Sequence, residues 1–186
     1  MTETANWFAG QSSRDGIADG LVGTPWGGTV AILDDTGAMR NSGEGEIVVK
    51  SPSLMSGYLD RPDLTAAVVK DGWYHTRDRG HLDEGGRIWL AGRIDDEINR
   101  GGFKVQPAEI DRLLETHPAV AEACVFAHPD PVAGESVAAA LRLERGATAT
   151  AEMLRGWCRE HLRREAVPEH WYVIDQIPRN SRGKIS

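Results

Sequence analysis

Hydrophobic and polar positions follow two different rhythms along this chain, and the change falls near its middle. Up to about residue 94, apolar residues come in short runs broken by glycine and aspartate, the pattern of strands joined by tight turns. Residues 28–33 and 45–50 read as strands, and Asp34-Asp35-Thr36-Gly37 as the turn after the first, so the two form an antiparallel pair. Pro62-Asp63-Leu64 opens a short helix that runs to about residue 70, with proline near its first turn. Residues 73–82 read as a strand, a polar turn and another strand. Asp83-Glu84-Gly85-Gly86 then turns the chain into a strand over residues 87–91. Residues 1–25, polar and glycine-rich, read as a flexible lead-in.

After the middle the period lengthens. Ile110, Leu113 and Leu114 stand at i, i+3 and i+4 behind Pro107 and Glu109, which predicts an amphipathic helix over 107–115. Residues 120–127 and 135–143 read as strands. A second helix opens at Thr150, with Met153, Leu154, Trp157, Cys158 and Leu162 on one side, and residues 171–174 form a third strand. This order predicts helices packed on a small sheet. Between the two halves lies Gly92-Arg93-Ile94-Asp95-Asp96-Glu97-Ile98-Asn99-Arg100-Gly101-Gly102-Phe103-Lys104-Val105, read as two short strands about a paired-glycine turn. The predicted fold class is therefore α+β: a small β-rich, barrel-like part over 1–94, a hinge, and a compact α/β part over 95–186.

Composition narrows the choices. With 40% hydrophobic and 26% charged residues the chain is an ordinary globular protein. A net charge of −7 argues against general nucleic-acid binding, which needs clustered Lys and Arg. Cys124 and Cys158 lack paired-ligand spacing, and Cys124 sits in an apolar run, so an inert buried thiol and a reducing cytoplasm are expected. No apolar run is long enough to span a bilayer. Residue by residue, two readings stay open for each candidate. Lys184, in a Gly-Lys pair on a basic tail, is either a frayed end or a cation delivered to developing negative charge. Asp78 is either a turn former or an acceptor for ribose hydroxyls. His75 and His81 flank Asp78, but a turn between them would prevent a metal cluster.

Taken together, the segments resemble the adenylate-forming superfamily of AMP-forming acyl- and aryl-CoA synthetases. Gly45-Glu46-Ile47-Val48-Val49-Lys50 through Gly57-Tyr58 is similar to its GEL…GY block, and Asp71-Gly72-Trp73-Tyr74-His75-Thr76-Arg77-Asp78 to its GWxxTGD block. Gly92-Arg93-Ile94-Asp95-Asp96 through Glu109-Ile110 is similar to its hinge block, and Pro178-Arg179-Asn180-Ser181-Arg182-Gly183-Lys184-Ile185 to its terminal block. Four blocks in order make a specific signal. Met1-Thr2-Glu3-Thr4 resembles the end of the YGxTE block, and the family's phosphate loop has no counterpart here. Arg77 stands where the pattern has glycine, and Asn180 where it has threonine.

The resemblance implies roles. Thr2 contacts the α-phosphate of ATP and Glu3 binds Mg²⁺. Asp78, helped by Arg93, holds the ribose of the nucleotide. Asp95 is the hinge of a rotating C-terminal domain, Gly102 borders the coenzyme A channel, and Lys184 stabilises charge during adenylation. The partners implied are a carboxylic acid, ATP (leaving as AMP) and coenzyme A. A non-catalytic fragment, or a docking module that complements a separately encoded N-terminal half, is the alternative.

Overall fold

The computed structural model describes residues 1–5, 8–12 and 18–181. They form two compact units, Met1–Asp95 and Asp96–Ser186. The fold is α+β, strand-rich throughout, with a curled sheet in the first unit.

The first unit contains β1 (Ala9–Gly10), β2 (Leu21–Pro25), β3 (Thr29–Leu33), β4 (Met39–Arg40), β5 (Gly43–Lys50), α1 (Pro62–Val68), β6 (Val69–Lys70), β7 (Trp73–Leu82) and β8 (Ile88–Arg93). Its sheet runs in the order β1-β2-β8-β7-β5-β3-β4, with β6 added beside β7. Val30, Ile32, Ile47, Val49, Leu82 and Ile88 close one face into a core, and Phe8, Ala9 and Val22 pack against it. Each such side chain contributes about 1.5–3 kcal/mol by leaving water. Here two expectations are corrected. The lead-in is not all irregular, because Leu21 and Gly23 pair with Trp89 and Ile88 of β8 and so extend the sheet. Residues 73–82 are one strand, not two: the positive φ of 61° at Arg77 is absorbed inside β7 without ending it.

Gly80 marks an irregularity in the pairing of β7 with β8. A Cβ there would stand 2.1 Å from the Trp89 carbonyl oxygen and 2.7 Å from Ile47, so only glycine lets the strands approach this closely.

The second unit contains β9 (Ile98–Arg100), β10 (Phe103–Val105), α2 (Pro107–Glu115), β11 (Val120–Asp130), β12 (Gly134–Leu143), α3 (Ala151–His161) and β13 (His170–Val173). Its sheet runs β10-β9-β12-β11, and β13 lies parallel to β12. Ile110 and Leu114 of α2 and Leu154 and Cys158 of α3 are buried against Val125, Val137, Ala139 and Leu141 of the sheet. The Thr150 hydroxyl caps α3 by accepting the Met153 N–H at 3.3 Å. Met153 departs from the expected apolar side: it is 54% exposed. Cys158 is buried and its thiol is pushed up to about 11 by that burial, which keeps it protonated. None of the described helices is long and apolar enough to cross a membrane.

Candidate functional site

In the first unit the candidate residues gather where β7 and β8 run side by side. Asp78 lies opposite Arg93 in the ladder, and the Arg93 Nη1 donates to Asp78 Oδ1 at 3.0 Å. The same nitrogen reaches the Thr76 carbonyl at 3.3 Å, which fixes the guanidinium over the strand. Burial pushes the Asp78 carboxyl above its ordinary range; the charge and hydrogen bond of Arg93 oppose the shift, and the negative charge of Glu3 reinforces it. Glu3 and Asp78 are therefore electrostatic neighbours.

Thr2 and Glu3 sit in a single turn of 3₁₀ helix, Thr2–Thr4, closed by Ala5 in a left-handed conformation. The Thr2 side chain is exposed. Glu3 is tied down by its own carbonyl, which accepts the Met55 N–H at 2.7 Å, and its carboxylate meets the Tyr58 hydroxyl at 3.5 Å. Tyr74 lies in the same group. Burial first, then the Tyr58 hydroxyl and the Glu3 charge, hold its phenol protonated. Tyr58 and Tyr74 lie within the family-like blocks, and the fold brings both to Glu3.

The strand backbone around Asp78 has its own support. Glu46 is buried, and its two carboxylate oxygens take the Arg77 N–H at 3.0 Å and the His75 Nδ1 at 3.1 Å. The buried Thr76 hydroxyl donates to the Ile47 carbonyl at 2.7 Å and accepts the Asp78 N–H at 3.0 Å. His75 is thus engaged by Glu46, and His81 stacks on Trp89, with ring centroids 5.6 Å apart. Among the described residues no group of three or more His, Cys, Asp or Glu is arranged to hold a metal ion. Asp95 carries two guanidinium neighbours, Arg77 and Arg93, which hold its carboxyl below the usual range, Arg77 foremost.

In the second unit Gly102 closes the β9–β10 hairpin at a φ of 93°, its N–H donating to Asn99 Oδ1 at 3.0 Å. Open space surrounds the position where a side chain would begin. Lys184 lies outside the described residues. The same unit holds a feature that the sequence reading did not single out: a cavity of about 450 Å³ lined by Arg100, Arg155, Arg159, Arg164 and Glu169, with Leu162 among its apolar walls. Arg155 and Arg159 stand four residues apart on one face of α3, and that spacing was the available signal. Arg100 is held by the Glu165 carbonyl at 2.9 Å and by an ion pair with Glu169. Four guanidiniums against one carboxylate leave the lining of this cavity net positive.

Residues 109–184 match the family model described as the AMP-binding enzyme C-terminal domain. The chain belongs to the adenylate-forming, AMP-binding superfamily. Its adenylate-forming relatives include the 2-succinylbenzoate–CoA ligase of Geobacillus kaustophilus, 38% identical over 187 residues, covering 100% of this chain and 38% of the relative. The oxalate–CoA ligase of Arabidopsis thaliana is 36% identical over 167 residues, covering 89% of this chain and 32% of the relative. Among solved adenylate-forming structures, o-succinylbenzoate CoA synthetase of Bacillus subtilis with its acyl-adenylate intermediate superposes with a TM-score of 0.89 at 34% identity. That match covers 100% of this chain and 38% of the other. An amide bond synthetase from Marinactinospora thermotolerans gives 0.83 at 37% identity, covering 90% of this chain and 35% of the other. The chain therefore spans about a third of the length of the relatives it matches.

Proposed function

We propose that this chain forms part of an ATP-dependent, AMP-forming carboxylic acid–CoA ligase of the cytoplasm. On this reading, residues 1–94 end the large AMP-binding domain and residues 95–186 make the small mobile one. The observation that carries it is the pairing of Asp78 with Arg93 beside Glu3. A half-buried carboxylate, aimed by a guanidinium, accepts two adjacent hydroxyls from a ribose. Arg93 keeps that carboxylate ionised as water is displaced.

Thr2, exposed on its turn, donates to the α-phosphate. Glu3 offers one anchored carboxylate, which fits Mg²⁺, an ion commonly held by one or two carboxylates together with substrate phosphates. Once bound, the ion neutralises phosphate charge. Lys184 supplies a further cation as the acid's carboxylate attacks the α-phosphorus and pyrophosphate leaves. The small domain then turns about Asp95. Gly102, with no side chain to obstruct it, borders the path of the coenzyme A thiol, which attacks the acyl-adenylate carbonyl and releases AMP. The arginine-lined cavity supports a role in holding phosphate groups of coenzyme A.

The test is made on the chain joined to, or mixed with, a large-domain half. Lys184→Ala is expected to abolish acid-dependent ATP–pyrophosphate exchange while largely sparing thioester formation from preformed acyl-AMP. Equal loss in both half-reactions would overturn the assignment of Lys184. A second reading is a non-catalytic fragment or docking module that complements a separately encoded N-terminal half. Pyrophosphate exchange by the isolated chain would exclude it.

A further inference from the structure

The family-like pattern has glycine immediately before Asp78, and this chain has Arg77. The backbone there keeps a glycine-type conformation, with φ at 61°. An arginine in the left-handed region is disfavoured, and the fold holds it there from both sides of its peptide. Its N–H goes to the buried Glu46 carboxylate at 3.0 Å, and its carbonyl accepts the Ile94 N–H at 2.9 Å. The side chain then reaches Asp95: Nε at 3.1 Å and Nη2 at 2.5 Å from Oδ1. The other Asp95 oxygen lies 3.6 Å from Arg93 Nη2, and Arg93 Nη1 is bonded to Asp78. One arginine thus grips both the backbone and the side chain of the segment Ile94-Asp95 at which the first unit ends. A glycine at the same position makes the backbone contact only.

We propose that Arg77 is a positioning residue, a latch on Asp95 that restrains residues 94–97 and is shared, through Arg93, with Asp78. The proposal rests on the reading of Asp95 as a hinge for its functional meaning, but the restraint is measurable without nucleotide. Both partners are about half exposed, 46% and 51%, so the grip is modest and screened by salt.

The test is amide hydrogen exchange on the intact chain. Arg77→Asn keeps a residue that tolerates the left-handed region, and Arg77→Gly removes the strain altogether. Both are expected to speed exchange at residues 94–97 about two- to five-fold at low ionic strength, the size of an exposed ion pair. High salt is expected to erase the difference, and Arg77→Lys to restore part of it. Asp95→Asn is expected to speed exchange by a similar factor, and the Arg77→Asn/Asp95→Asn double variant by no more than either single one. The melting temperature of Arg77→Gly is expected to hold or rise, which separates a latch from general loosening. Unchanged exchange in the Arg77 variants, or strictly additive effects in the double variant, overturns the latch. Failure of the assembled protein to bind AMP overturns the ligase reading and leaves the exchange result standing.

Discussion

Asp78, the candidate ribose-binding residue, is held in an environment that disfavours its charge. Its carboxyl is raised above the ordinary range chiefly by burial, and Arg93 compensates only in part. A raised acid binds more protons folded than unfolded. Its stabilising contribution is present below the unfolded value and lost as pH rises through the folded one. Asp78→Asn is therefore expected to leave the melting temperature at neutral pH unchanged or higher. The same change is expected to weaken AMP binding by about ten-fold or more, because a buried group built to accept hydroxyls loses an acceptor. Calorimetric titration of AMP alongside thermal unfolding checks both halves. In the wild type, AMP affinity is expected to fall as acidification protonates Asp78, at a higher pH than an exposed aspartate would show. At this scale the sequence named Asp78, Arg93 and Glu3 through motif position. It could not reveal that Tyr58, Tyr74 and Glu46 support them, because those contacts join residues dozens of positions apart.

Local periodicity served well wherever an element buries one face. Helix α2 begins and ends where Pro107 and the i, i+3, i+4 pattern put it, since Ile110 and Leu114 must reach the same core. It failed in β7, where ladder hydrogen bonds on both sides override the polar run around Arg77. It was also silent on what α2 does to the sheet. Asp111 and Glu115, one turn apart, accept the N–H groups of Val125 at 2.6 Å and Ala123 at 3.2 Å, covering the outer edge of β11. The Asp111 carboxyl is pushed up to about 7, by burial first and then by Glu115 and despite Arg112; the Cys124 thiol is also raised, by burial first and then by the Asp111 charge. Since 7 lies above the ordinary 3.8, the folded unit is favoured at acid pH and loses that advantage as pH climbs from about 4 to beyond 7. Asp111→Asn, which keeps an acceptor oxygen without the charge, is expected to melt higher than wild type at pH 8 and to match it near pH 4. Thermal denaturation across that range, followed by circular dichroism, is the measurement.

For the molecule as a whole, the charge distribution matters more than its sum. The chain is acidic, at −7, yet the second unit collects four arginines around one cavity. Composition alone hid this, because Arg100 and Arg164 are brought to Arg155 and Arg159 only by the packing of α3 and the segment behind it against the sheet. Arg159 is the arginine of the set to alter first, since Arg100 is committed to Glu169 and the Glu165 carbonyl, and Arg155 reaches the Glu169 carbonyl. Removing it takes away positive charge without opening those contacts. If the cavity holds phosphates of coenzyme A, Arg159→Ala is expected to raise KM for coenzyme A about five- to fifty-fold, the size of one charge-assisted phosphate contact. The adenylation half-reaction, which involves no coenzyme A, is expected to proceed at the wild-type rate. On the ligase reading the two half-reactions share the acyl-adenylate and the rest of the protein, so a general folding defect would depress both. A selective rise in KM for coenzyme A therefore reports on the cavity itself. Its loss at high salt would identify the interaction as electrostatic. An unchanged KM with the arginine gone would remove coenzyme A from this cavity while leaving the proposed nucleotide site around Asp78 untouched.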